Sequence, residues 1–123
     1  MALPELIPDR FRKDAIFLPW FVDGEAAWSQ VEAIAVLESL KGTTLAVSDV
    51  SPYLHAAQSW AAAPDVAWTC SETVWSVHRK HNESDIDYAR RSRLEAVEFI
   101  RGTEVGVAEV LFALTFPMFK DAA

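Results

Sequence analysis

From Val105 to Phe116 the chain reads VGVAEVLFALTF, and Glu109 is its only charge. Successive side chains of a strand point to opposite faces, so a run apolar in both registers leaves no face for water. Such a run predicts a strand buried on both sides, near the centre of a sheet. The rest of the chain must then supply neighbouring strands and a covering layer.

The cover is legible upstream. A helix is expected from about Ser84 to Arg101, with Gly102 just past its end. At about one hundred degrees per residue, Tyr88, Ala89, Ser92, Ala96, Phe99, Ile100, Ile86 and Val97 form one apolar arc, and Arg93 falls inside it. A second helix starts at Ser29, where Ser29-Gln-Val-Glu32 matches a capping box. Val31, Ile34, Ala35, Leu37 and Leu40 follow at helical spacing before Lys41-Gly42. Between these, Thr43 to Val50 is β-like. Ser51-Pro52 reads as a cap and first turn of a further helix closing at Pro64. Val66 to Val77 reads as a strand whose alternation changes face near Glu72, the mark of a bulge. Ala15 to Val22 reads as an extended segment at a sheet edge or against the core, after an irregular lead-in over residues 1–14. The expectation is one α+β (or α/β) domain over residues 1–123, with one mixed sheet of about four strands and two or three packed helices.

Size and charge narrow the function. A chain of 123 residues can bury roughly two-thirds of its unfolded surface without a disulfide or metal staple. Its net charge of −7 argues against a nucleic-acid partner. Cys70 is the only cysteine, which suits a reducing compartment. The opening residues lack the basic start and apolar core of a secretion signal, and no apolar run approaches membrane-spanning length. The sequence predicts a soluble cytoplasmic protein with no membrane partner.

The charges are segregated. All five tryptophans lie between Ala15 and His78, where Lys41 is the only basic residue against seven acidic ones. Aromatic anchors beside a field of one sign suit a protein–protein surface, here one facing a basic partner. Trp20, Asp23, Glu25, Trp28, Asp65, Trp68, Glu72 and Trp75 are the candidate contact residues. A homodimer through one tryptophan patch is also open.

Catalytic chemistry finds less support. His78 and His81 are spaced for zinc, but Arg79 and Lys80 between them repel a cation, and no third histidine or second cysteine completes the set. Asp65 and Glu72 resemble half of a metal-dependent nuclease, yet Val74 stands where its lysine belongs. Cys70 lies among Trp68, Thr69 and Ser71, without a neighbour to activate it. Glycine-rich phosphate loops and nucleophile elbows are missing from the sequence. No catalytic residue, metal or cofactor is assigned, and the reading is of a protein that is not an enzyme. Arg93, on its apolar arc, must either reach past the core to solvent or pair with a carboxylate, and Asp49 at the end of the second strand is a candidate partner.

The order of motifs resembles the fortieth immunity-protein family of bacterial polymorphic-toxin systems. Glu25-Ala-Ala-Trp28-Ser-Gln-Val-Glu-Ala33 is similar to the family's tryptophan-led start of its first helix, and Leu45-Ala-Val-Ser-Asp49-Val50 to a strand ending Gly-Gly-Asp-Val. Trp75 to Glu83 resembles its tryptophan and polar turn, and Tyr88-Ala-Arg-Arg91-Ser92 through Glu98-Phe-Ile100 its Tyr-x-x-Arg-Ser helix. Val47 and Ser48 replace the paired glycines, and Ser51 to Pro64 reads as helix where the family has a hairpin. The resemblance implies a cytoplasmic protein that neutralises a cognate toxin by binding it, with Asp49, Tyr88, Arg91, Ser92 and Arg93 as structural motif residues. The acidic half suggests a toxin with a basic face, such as a nuclease. The alternatives are a small-molecule-binding or hydrolytic α/β domain, or a phage-type protein inhibitor.

Overall fold

The computed structural model describes residues 3–55, 68–70, 74–103 and 110–117. Its elements are helix α1 (Asp9–Asp14), strand β1 (Glu25–Trp28), helix α2 (Gln30–Ser39) and strand β2 (Asp49–His55). Strands β3 (Trp68–Cys70) and β4 (Trp75–Ser76), helix α3 (Asp85–Gly102) and strand β5 (Val110–Thr115) follow. The α+β class expected from the sequence is the one observed.

The sheet runs β1-β5-β2-β3, with β4 also pairing β2. Every described pairing is antiparallel, where a mixed sheet was expected. β5 lies between β1 and β2, the central position its apolar run demanded. Val110, Phe112 and Leu114 enter the main core with Trp28, Val36, Leu37 and Ile100. Leu111 and Ala113 enter a smaller cluster on the opposite face, with Leu18, Phe21 and Ala27.

The expected helix from Ser51 to Pro64 is corrected. Residues up to His55 continue β2, and residues 56–67 lie outside the described residues. Proline survives inside this strand for a geometric reason. The Thr115 carbonyl accepts from Ser48 on the β2 side, whereas the Phe116 N–H turns to Gly24 on the β1 side. Alternation then directs the main-chain groups of Asp49, Ser51 and Tyr53 towards β5, and those of Val50, Pro52 and Leu54 towards β3 and β4. The missing N–H of Pro52 therefore costs no bond to β5. Val50 pairs with Trp75 but Tyr53 pairs with Cys70, so the two flanking registers differ by two residues. The position near Glu72 where a bulge was expected lies outside the described residues. The β-like stretch from Thr43 is an irregular connection as far as Ser48, and the strand begins at Asp49.

The described part of the lead-in, residues 3–14, ends in the short helix α1 and contributes to the core. Leu3, Ile7 and Phe11 stand four apart and join the core, the last from α1. The Arg12 guanidinium fastens this segment by donating to the carbonyls of Ile7 and Pro4.

α2 starts where the capping box placed it, with the Ser29 hydroxyl accepting from the Glu32 N–H at 3.3 Å. The Glu32 carboxyl meets that of Asp14, and burial followed by this acidic neighbour holds its pKa above the usual range. Val31 turns to solvent, and Ala33, Val36 and Leu37 face the core instead. α3 reproduces its expected arc: Tyr88, Ala89, Ser92, Arg93, Ala96, Val97 and Ile100 are buried.

Four α3 side chains anchor the helix to the chain around it. The Tyr88 hydroxyl donates to the Val77 carbonyl at 3.0 Å. Arg91 holds Glu83 with two hydrogen bonds of 2.8 Å and also donates to the His78 carbonyl. Ser92 accepts from the Val47 N–H at 3.2 Å and donates to the Ala89 carbonyl. Arg93 donates to the carbonyls of Thr43 and Leu45. Asp49 is not its partner: that carboxylate is held by the hydroxyls of Ser48 and Ser76. The helix places Arg93 beside the connection after α2, whose main-chain oxygens have no strand partner there. Among the described residues no helix is long and apolar enough to cross a membrane.

Candidate functional site

The helices leave one face of the sheet to other occupants. Cross-strand partners share a face, so the registers put Glu25 and Ala27 of β1 with Leu111, Ala113 and Thr115 of β5 and with Asp49, Ser51 and Tyr53 of β2. Trp28, Phe112 and Val50 occupy the face towards α2 and α3.

The extended segment between α1 and β1 crosses part of this second face. Ile16 bridges to Ala27 with a reciprocal pair of 2.9 Å bonds, a sheet-edge placement as expected. Leu18 and Phe21 then cover Ala27, Leu111 and Ala113. Pro19 and Trp20 form the intervening turn, closed by the Phe21 N–H on the Leu18 carbonyl. This turn lifts the Trp20 ring to the rim, where it is 47% exposed. Its indole N–H donates to the Tyr53 hydroxyl at 3.2 Å, and the ring centroids lie 6.0 Å apart. Phe21 completes the trio, edge-on to Trp20 at 6.3 Å and 5.8 Å from Tyr53. These contacts limit the rotamers of an exposed ring, which reduces the entropy lost when a partner immobilises it.

The other part of the face is polar. Asp49 accepts from the Ser48 hydroxyl at 2.8 Å and from that of Ser76 at 2.5 Å. Glu25 accepts from the Thr115 hydroxyl at 3.3 Å and from the Val22 N–H at 3.0 Å. The second of these bonds reinforces a turn in which the Glu25 N–H reaches the Val22 carbonyl and Gly24 takes a φ of +90°. A positive φ at that third position is the requirement of a type II turn, and glycine meets it without strain. Asp23 occupies the second position, exposed at the turn's tip. Two oriented carboxylates and an acidic turn thus share this sheet face with the aromatic trio, the Glu25–Thr115–Asp49 row lying four residues along β5 from the row of Tyr53.

Of the contact residues read from the sequence, Trp20, Asp23 and Glu25 come together here. Trp28 is fully buried on the opposite face, its indole donating to the Phe11 carbonyl at 2.9 Å, and so cannot meet a partner. Trp75 is half-buried on the helix side, stacked on Phe99 at 6.4 Å. Asp65, Glu72 and the side chain of Trp68 lie outside the described residues. Asp49, read from the sequence as structural, belongs to this face. Tyr53, Phe21 and Ser76 went unread. Asp49, Ser51 and Tyr53 alternate with Val50, Pro52 and Leu54, a period of two that could have revealed them had the Ser-Pro pair not suggested a helix.

His78 and His81 are both exposed, and the turn containing them is held by other bonds. Arg79 pairs with Asp85, and the Lys80 N–H donates to Glu83. Among the described residues no three His, Cys, Asp or Glu side chains are grouped to hold a metal ion. No family model, curated protein or solved structure matches this chain.

Proposed function

We propose that this protein is a non-catalytic binding protein of the immunity type, which neutralises a bacterial toxin in the cytoplasm by covering a basic surface of it. One observation carries this reading: an exposed tryptophan, held by Tyr53 and Phe21, on the same sheet face as the fixed carboxylates of Glu25 and Asp49. Tyrosine and tryptophan dominate the energetics of protein interfaces, and a carboxylate border selects cationic partners and repels acidic ones. The motif order noted in the sequence expects the same function. A nuclease toxin, which must carry a basic face to hold nucleic acid, fits the charge.

On this reading a neighbouring gene is expected to encode a toxic domain, and the test is co-expression with that product. Wild type restores growth and co-purifies with the domain, and Trp20→Ala weakens both while melting like wild type. Growth that stays arrested with wild-type protein present would overturn the reading.

A further inference from the structure

A second surface has the opposite charge. A groove of about 810 Å³ opens between α2 and α3, on the helix layer and away from the tryptophan face. Its apolar lining is Leu37, Ile86, Leu94 and Val97. Lys41, Arg90, Arg93 and Arg101 also line it, against one carboxylate, Glu38. Arg101 already occupies Glu38 at 3.2 Å. The chain carries seven more acidic than basic residues, so four cations around one acid is a local reversal of its charge.

The cations are only weakly matched: Arg90 meets Asp87 at 3.5 Å, an exposed surface pair that contributes little. Arg93 is 6% exposed, and its described hydrogen bonds go to two neutral carbonyls. Burial first, and Arg90 second, push its guanidinium below the ordinary value. Leu94 stands 61% exposed among them. A nearby anion would relieve the repulsion, and an apolar group would cover the leucine.

The spacing sets the shape of the occupant. On α3 the lining residues are Ile86, Arg90, Arg93, Leu94, Val97 and Arg101. At about 100° and 1.5 Å per residue they form a stripe roughly 100° wide and 22 Å long. Charges distributed along such a length exceed what one small anion can neutralise. The length matches four turns of a helix laid in a groove.

We propose that the α2–α3 groove docks an acidic amphipathic helix of a partner protein, with its apolar face on Leu94 and Ile86 and its carboxylates against Arg90 and Lys41. The apolar lining favours a peptide over nucleic acid, whose phosphates would also meet the net negative charge of the rest of the chain. This surface is separate from the tryptophan face, so the two can be occupied together.

The probe is a displayed library of helical peptides of about 18 residues, long enough to run the stripe at roughly 1.5 Å per residue. Selection on the intact protein should enrich peptides with Asp or Glu flanking an apolar i, i+3, i+7 face. Binding of the best synthetic peptide should weaken at least about tenfold in Leu94→Gln and in Arg90→Gln, and fall with added salt. Both variants should melt like wild type, since the two side chains are exposed. Enrichment without acidic bias would overturn the proposal, as would affinity unchanged in both variants. Equally tight binding of a single-stranded oligonucleotide would assign the groove to nucleic acid instead. A dimer in sedimentation that Leu94→Gln dissolves would assign it to a second copy.

Discussion

The Ser92 hydroxyl accepts the Val47 N–H at 3.2 Å, joining the centre of α3 to the residues that lead into β2. Both partners are fully buried, so water cannot replace the bond. Ser92→Ala should cost about 1–3 kcal/mol by leaving the Val47 N–H unsatisfied. Ser92→Leu should cost about as much again through overpacking, or more. Thermal melting of the two variants measures both effects, and unchanged melting would show that the contact contributes nothing.

Glu83 and Arg91 make stability depend on acid. The Arg91 hydrogen bonds, and then the bond from the Lys80 N–H, lower the Glu83 carboxyl to about 2. A carboxylate depressed on folding contributes stability above its unfolded pKa and loses it as pH falls through the folded value. The contribution should therefore be full above about pH 4.5 and decline towards pH 2. Glu83→Gln should flatten that part of the stability profile, read from denaturant midpoints across the range. A profile identical to wild type would show the pair to be inert.

Trp28 should behave as a core residue. Its ring is fully buried and its indole serves the Phe11 carbonyl. Trp28→Ala should destabilise by about 3–5 kcal/mol. Trp20→Ala, at the rim, should change melting far less. Equal losses would mean that the two tryptophans had been assigned to the wrong faces.

Zinc should leave the melting temperature unchanged. His78 and His81 are exposed on a turn already held by Arg79–Asp85 and Lys80–Glu83 contacts, with cations between them. A saturable rise with zinc, lost in His78→Ala and His81→Ala, would establish a site there.

These outcomes also show which features were legible in the sequence. α3 was read almost residue by residue, because eighteen residues of helix sample the apolar period many times. β5 was legible from its double-faced apolar run. β2 was not: Ser51-Pro52 fits a helix start and also a strand whose proline turns its missing N–H away from β5. The partner of Arg93 was illegible for another reason, since main-chain carbonyls satisfy it and every residue type carries one. The acidic, tryptophan-rich half was visible as composition. Among the described tryptophans, strand register buries Trp28 and a turn lifts Trp20 to the rim, and composition contains neither.

The central claim is that the Trp20 face meets a basic partner. The direct measurement is the association rate with the toxic domain expected from a neighbouring gene, followed against ionic strength. Wild type should associate more slowly as salt is added, because screening acts over roughly 8–10 Å near physiological strength. Asp23→Asn, Glu25→Gln and Asp49→Asn should lower the rate at low salt and flatten that dependence. Trp20→Ala should instead raise the dissociation rate, at about 2 kcal/mol or more if the ring is a hot spot. Rates that are flat with salt, indifferent to the three carboxylates and unchanged by Trp20→Ala would contradict the claim.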